Sequence, residues 1–229
     1  PTMAYSCGIF EGPSSTLEEA SVEKMDRLCR KLYLNRDDHL LEIGTGWGGL
    51  AIHAAKNYGC KVTTTTISKE QHRMARQRID ECGLQDQIDL RLEDYRKLDG
   101  QYDKIVSVEM IEAIGKSQFQ TFWNRCGELL RPGGRLALQS ITIQDHRFEA
   151  ASREVDFIKR YIFPGSCIPS VSALLSNGQC FGATHTDGRG AGVGGWEGGW
   201  GDREGVGGRR WGRRWAWEAA GLPRGGEGG

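Results

Sequence analysis

Residues 41–51 read LEIGTGWGGLA, and no other stretch limits the architecture so tightly. A strand-like run ends in Gly44, Gly46 and Gly49, spaced G-x-G-x-x-G, and a helix-forming run follows. Such a turn carries a first parallel strand into a helix, and bare glycines let a ligand approach the backbone closely. The segments around it keep alternating. A helix is predicted over 15–34, with Ser15 and Glu18 as its capping box and Val22, Met25, Cys29 and Leu32 as its apolar stripe. Strands are predicted at 39–43, 61–67, 88–92, 104–110 and 135–143, separated by helices that include one capped by Ser68. Phe119, Phe122, Trp123, Cys126, Leu129 and Leu130 recur at helical spacing and read as core, and RPGG at 131–134 stops that helix. Strands joined by helices imply right-handed crossovers and an α/β, doubly wound parallel sheet.

The next question is which ligand the turn holds. A dinucleotide site wants an acid at the end of the second strand for the ribose hydroxyls. Here that strand ends TTTTIS, and Glu70 falls inside the following helix. Instead Glu42 stands two residues before Gly44, giving E-x-G-x-G. That arrangement resembles the first motif of methyltransferases that use S-adenosylmethionine. A ligand-free tight turn is the plainer reading, but three glycines and a flanking acid exceed what a turn requires.

Composition narrows the partners. Lys plus Arg equal Asp plus Glu at 30 each, so no global field favours nucleic acid. The seven cysteines are scattered singly, without the paired spacing of a zinc site, and read as reduced thiols of a cytoplasmic protein. No apolar run reaches the length of a membrane span and no signal peptide is visible. The chain starts at Pro1 in mid-pattern, which points to further sequence upstream. Near residue 175 the composition changes: 19 of the 33 glycines lie beyond it, and such a segment buries too little to offset its ordering entropy. Residues 1–175 are therefore expected to form the domain and 176–229 a disordered Gly/Trp/Arg-rich tail. Arg, Trp and Gly together could stack on RNA bases, the weaker reading of that tail.

Further motifs occur in order: YSCGIF at 5–10, TISKEQ at 66–71, DYR at 94–96, YDKIVSVEMIEAIG at 102–115, LRPGG at 130–134, LQSITI at 138–143 and DFIKRYIFPG at 156–165. With the glycine turn they closely resemble cyclopropane-fatty-acyl-phospholipid synthases and the related mycolic acid cyclopropane synthases, over residues 2 to about 173. The resemblance implies a Rossmann-like S-adenosylmethionine methyltransferase fold. It implies cofactor contacts from Tyr5, Ser6, Glu42, Gly44, Gly46, Gly48, Thr66, Gln71, Tyr95, Arg96 and Val108. It implies a bicarbonate ion near the reacting carbon, held by Cys7, Glu112 and Ile141. Many members carry His where this chain has Gln139, which still hydrogen-bonds an anion but does not titrate near neutrality. No metal is implied. The family's sequence continues with further strands and a tyrosine that reaches the bicarbonate. Here the match stops after FPGSCIPS, so a sheet lacking its last strands, with an open edge at the fifth, is expected.

The implied reaction adds a methylene group to the cis double bond of an unsaturated phospholipid acyl chain at a membrane surface. An alkene is a weak nucleophile, so the reaction needs an electrophilic methyl, a water-free pocket and a base. Tyr5, Phe10, Tyr161 and Phe163 are candidates to stabilise a cation. Arg73, Arg76 and Arg78 are candidates for anionic headgroups, with a solvated helix face as the plainer reading. Spacing alone leaves Glu112 equally a helix cap, and Cys7 alone reads as a small buried apolar residue. C-methylation of the acyl chain, a small-molecule N- or O-methyltransferase, and a catalytically defective chain stand as alternatives.

Overall fold

The first helix starts one residue later than its sequence signals suggest. In the computed structural model, which describes residues 3–178 and a strand over 214–221, α1 spans Leu17–Leu32. Thr16 is its N-cap: the Thr16 hydroxyl accepts from Glu19 N at 3.2 Å, and the Glu19 carboxylate accepts from Thr16 N at 2.7 Å. The Ser15–Glu18 pair has the same spacing but is not the box. The frame set by Thr16 turns Ala20, Met25, Leu28, Cys29 and Leu32 inward and leaves Val22 exposed. Lys24 is buried on the same face.

The remaining elements are β1 (His39–Ile43), α2 (Gly49–Tyr58), β2 (Lys61–Thr66), α3 (Lys69–Glu81), β3 (Ile88–Leu92), β4 (Tyr102–Val108), α4 (Phe119–Leu129), β5 (Leu130–Thr142), α5 (Asp145–Arg153), α6 (Val171–Gly178) and β6 (Arg214–Gly221). Ser68 caps α3 as expected, accepting from Gln71 N at 3.3 Å. The strands lie in the order β3-β2-β1-β4-β5-β6, every neighbouring pair parallel. This is the doubly wound sheet the alternating pattern predicts. β5 begins before RPGG rather than after it: Leu130 pairs with Tyr102, the register shifts, and pairing resumes at Arg135 opposite Lys104.

Strand alternation splits the core into two layers. Leu40, Val62, Val106 and Ala137 face α1, α2 and α3, against Met25, Leu28, Leu50 and Ile79. Leu41, Ile43, Ile105, Leu136 and Leu138 face the other way, against Phe119, Phe122, Trp123 and Cys126 of α4. The aromatic run of α4 is thus core, each fully buried ring contributing about 1.5–3 kcal/mol.

The open edge expected beside β5 is instead occupied. Backbone of β6 pairs with it from Arg135↔Arg214 to Thr142↔Gly221. An uncovered edge offers a row of unpaired N–H and C=O groups, and β6 begins in a glycine-free run of the glycine-rich segment. Helix α6 likewise continues past residue 175 to Gly178. The expectation of disorder for 179–213 and 222–229 falls outside the described residues.

Candidate active site

Strand order reverses between β2 and β4 around β1, so the ligand crevice of such a sheet lies at the carboxyl ends of β1 and β4. The glycine turn occupies that position. Gly44, Gly46 and Gly48 have φ of 101°, 52° and 82°, all left-handed. Gly44 N and Thr45 N both donate to Thr65 O, at 3.1 and 3.0 Å, which clips the turn to the end of β2. The bare positions serve different ends. A Cβ on Gly48 would lie 3.2 Å from Ala75 Cβ, so that glycine admits α3. A Cβ on Gly46 would meet only the Tyr5 ring, at 3.7 Å, so its face opens into the cleft. Arg78 donates to Trp47 O at 2.6 Å and braces the turn from α3.

The cleft is walled by Tyr5, Ser6, Lys24, Glu42, Gly44, Gly46, Trp47, Val108 and Glu109, among others. Tyr5 and Ser6 reach it on an arm that precedes α1. The Gln71 amide donates to the Tyr5 hydroxyl at 3.2 Å, and Thr66 Oγ1 donates to Gln71 Oε1 at 2.8 Å. Three positions predicted to reach the cofactor are therefore joined in one chain of hydrogen bonds.

Beneath the turn Glu42 is buried, accepting from Thr64 Oγ1 at 2.6 Å. Burial pushes its carboxyl up to about 8, against the Thr64 hydrogen bond and the Lys24 charge, so it is mostly protonated at neutral pH. Lys24 donates to Ser6 Oγ. Burial lowers its pKa, while the charges of Glu109, Cys7 and Glu42 pull it back up.

Glu109 follows β4 with φ 48°, a left-handed conformation unusual for a residue with a side chain. Its backbone N donates to Gln139 O at 2.8 Å. Its Oε1 accepts from the Gln139 side-chain amide at 2.8 Å and from Cys7 N at 3.2 Å. The same Gln139 amide lies 3.3 Å from Cys7 Sγ. Glu112 sits in a short 3-10 turn, Ile111–Ala113, with one carboxylate oxygen on the N–H of Ile141. Its other oxygen is buried with no hydrogen-bond partner among the described residues. Burial raises the Glu112 pKa, and the N–H donors hold it back.

The structure thus gathers Tyr5, Ser6, Glu42, Gly44, Gly46 and Val108 around one cleft, with Thr66 and Gln71 tied to it and Cys7 and Gln139 gathered on Glu109. It does not bring all the predicted residues there. Tyr95 is in the core, edge-on to Phe122 with ring centroids 5.8 Å apart, its hydroxyl buried without a hydrogen-bond partner among the described residues. Arg96 is ion-paired with Asp94 at 2.6 Å on the surface. Gly48 packs against α3. The three arginines have internal partners: Arg73 pairs with Glu70, Arg76 donates to Leu90 O, and Arg78 holds Trp47 O. Tyr5, Phe10, Tyr161 and Phe163 are exposed. Lys24 and Glu109 escaped the sequence reading of the site. A lysine within the buried stripe of α1 was a usable signal for the first. Nothing local marks Glu109 apart from its nearness to Glu112.

A family model described as mycolic acid cyclopropane synthetase matches residues 1–189. The chain belongs to that family. It is 42% identical over 181 residues to the tuberculostearic acid methyltransferase UfaA1 of Mycobacterium tuberculosis, covering 76% of this chain and 42% of that protein. It is 36% identical over 184 residues to the cyclopropane-fatty-acyl-phospholipid synthase of Escherichia coli strain K12, covering 78% of this chain and 44% of that protein. The chain therefore spans less than half the length of these relatives. Among solved structures it resembles mycolic acid cyclopropane synthase CmaA1 complexed with SAH and CTAB, with a TM-score of 0.71, 29% identity, and coverage of 79% of this chain and 66% of that one. The fold is that of S-adenosylmethionine-dependent methyltransferases. Among the described residues no helix is long and apolar enough to cross a membrane, and no cluster of His, Cys, Asp or Glu could hold a metal ion.

Proposed function

We propose that this chain carries the cofactor half of an enzyme that adds a one-carbon group to the double bond of an unsaturated phospholipid acyl chain, giving a cyclopropane fatty acid. One observation carries the reading: the Tyr5–Ser6 arm lies across the glycine turn at the carboxyl end of β1 and is tied by Gln71 to the end of β2. The cleft fits S-adenosylmethionine. Gly46 presents bare backbone to it, Glu42 and Val108 line it, and Thr66 and Gln71 are tied to the Tyr5 hydroxyl that walls it. When bound, the cofactor supplies an electrophilic methyl carbon. The chain's own residues then have three tasks. The Tyr5 arm walls the cleft opposite Gly46. Gly44 and Gly46, which line the cleft, would hold the ligand by backbone contact. Glu112, one oxygen fixed by Ile141 N–H and the other buried and unpartnered, supplies an acceptor for a proton or a donor group.

Bicarbonate fits less well. The groups that would hold it are already engaged by carboxylates of the chain itself: Cys7 N–H and the Gln139 amide by Glu109, and Ile141 N–H by Glu112. A further anion there would lack donors and would meet two acidic side chains, so no step is routed through it.

Methylation without ring closure is the second reading, favoured by the names of two relatives: UfaA1, and the probable fatty acid methyltransferase of Pseudomonas putida at 43% identity. Mass spectrometry of lipids from an expressing host tests both readings, since transfer of a methyl and loss of a proton adds one methylene per acyl chain whether a ring or a methylated alkene results. Proton NMR of the same lipids separates them, by upfield cyclopropane methylene signals for the ring and vinylic signals for the methylated alkene. Unchanged acyl masses, together with no binding of S-adenosylhomocysteine in calorimetry, would refute both.

A further inference from the structure

We propose that Glu109 is a built-in anion of this site: its carboxylate fills the cradle formed by Cys7 N–H and the Gln139 side-chain amide, so that the chain uses its own carboxylate there in place of a captured bicarbonate. The inference rests on the cleft being the cofactor and substrate site.

Three observations meet at Glu109. One carboxylate oxygen takes both donors, at 3.2 Å from Cys7 N and 2.8 Å from Gln139 Nε2. The backbone is held left-handed at φ 48° while Glu109 N donates to Gln139 O at 2.8 Å, so main chain and side chain both fasten to residue 139. A strained side-chain-bearing residue persists only where its surroundings over-determine it, and such residues concentrate at functional sites. Glu109 also lines the cleft beside Gly44, Gly46 and Tyr5, so the anion it carries borders the ligand space.

Charge supports the assignment. Lys24 is the buried cation among the residues lining this cleft; burial lowers its pKa, and the charge of Glu109 is the largest influence opposing that fall. Glu42, pushed up to about 8, is largely neutral at pH 7, which leaves Lys24 to balance Glu109. A bicarbonate would add a second negative charge, and the residues lining the cleft include no second cation to meet it. Gln139 is suited to this partner: its amide donates to a carboxylate at any pH, whereas an imidazole donates from both nitrogens only when protonated. A carboxylate fixed at the cleft wall is also a ready acceptor for a proton released from carbon. It would take that proton as the C–H electron pair closes a C–C bond, and then pass it to solvent.

The test is a titration of the full chain with ¹³C-labelled bicarbonate, read as ¹³C line broadening. S-adenosylhomocysteine affinity is measured separately by calorimetry. The unmodified chain should give no broadening at millimolar bicarbonate. Glu109→Gly, which suits the left-handed backbone, should vacate the cradle and raise bicarbonate affinity at least tenfold. Glu109→Gln, which keeps the bulk and an acceptor oxygen, should gain little. Bicarbonate binding by the unmodified chain overturns the proposal. So does a folded Glu109→Gly chain that gains none. Should Glu109→Gly fail to fold, the titration of the unmodified chain still decides. Failure of S-adenosylhomocysteine to bind refutes the cofactor reading instead, since the bicarbonate titration needs no cofactor.

Discussion

Replacing Glu42 with glutamine should change how stability responds to pH, by an amount the burial of this side chain sets. In the folded chain Glu42 keeps its proton up to about 8, whereas the free side chain releases it at 4.5. Between those values the folded state holds the extra proton, so stability falls as pH rises. The deficit is absent below the unfolded value and complete above the folded one. Each tenfold difference in proton affinity is worth about 1.4 kcal/mol, so Glu42 costs the fold about 1 kcal/mol at pH 5 and about 3 kcal/mol at pH 7. Glutamine has nearly the same shape, still accepts from Thr64 Oγ1, and carries no titrating proton. Other groups titrate alike in both proteins and largely cancel. Urea unfolding at pH 5 and pH 7, under reducing conditions, should show the stability of Glu42→Gln minus that of the unmodified chain growing by about 2 kcal/mol between the two pH values. A difference that stays flat would mean Glu42 is ionised in the fold, with Lys24 outweighing burial, and the neutral-carboxyl account of the cleft floor would be wrong.

Gly46→Val should abolish S-adenosylhomocysteine binding in calorimetry, because it places a β-branched side chain in the cleft at φ 52°; retained affinity would show that the ligand lies elsewhere. Gly48→Ala should lose about 1–2 kcal/mol in urea unfolding, from a left-handed alanine at φ 82° and a Cβ 3.2 Å from Ala75, and an unchanged midpoint would refute the packing role. Glu112→Gln should keep S-adenosylhomocysteine affinity while acyl-chain modification in an expressing host falls by about 100-fold; full modification would make Glu112 a structural residue.

What was legible in the sequence was whatever local rules decide. The glycine turn, the Ser68 cap and the α4 aromatics follow from spacing, because helix and strand periods decide which side chains face inward. The first helix shows where this stops. Two capping boxes overlap at Ser15–Glu18 and Thr16–Glu19, and only packing of Met25, Leu28 and Leu32 against the sheet selects the second. Tyr95 and Arg96 show a different limit. Their place rests on a motif match, whereas the contacts they make, with Phe122 for the ring and Asp94 for the guanidinium, were not legible from it. β6 was illegible because its pairing depends on the edge of β5, far away in sequence.

The chemistry-bearing residues were the hardest to read, for a physical reason. The Cys7–Glu109 hydrogen bond spans 102 positions and the Glu109–Gln139 bond 30, so no window of sequence contains the cradle. Local preference even argues against it, since a glutamate gains nothing from a left-handed backbone. Among the described residues three non-glycines have positive φ: Met3, Tyr33 and Glu109. Tyr33 is accounted for by its place at the C-cap of α1, where its N–H and that of Leu34 close the last turn on Arg30 O and Cys29 O. Met3 lies on the arm that walls the cleft, and Glu109 in the wall itself. The departures from local rules that secondary structure does not explain therefore fall together around one cleft. A fold tolerates such departures where something other than stability selects them. That concentration points to Glu109 as part of the working site and sets it apart from a residue that merely ends β4.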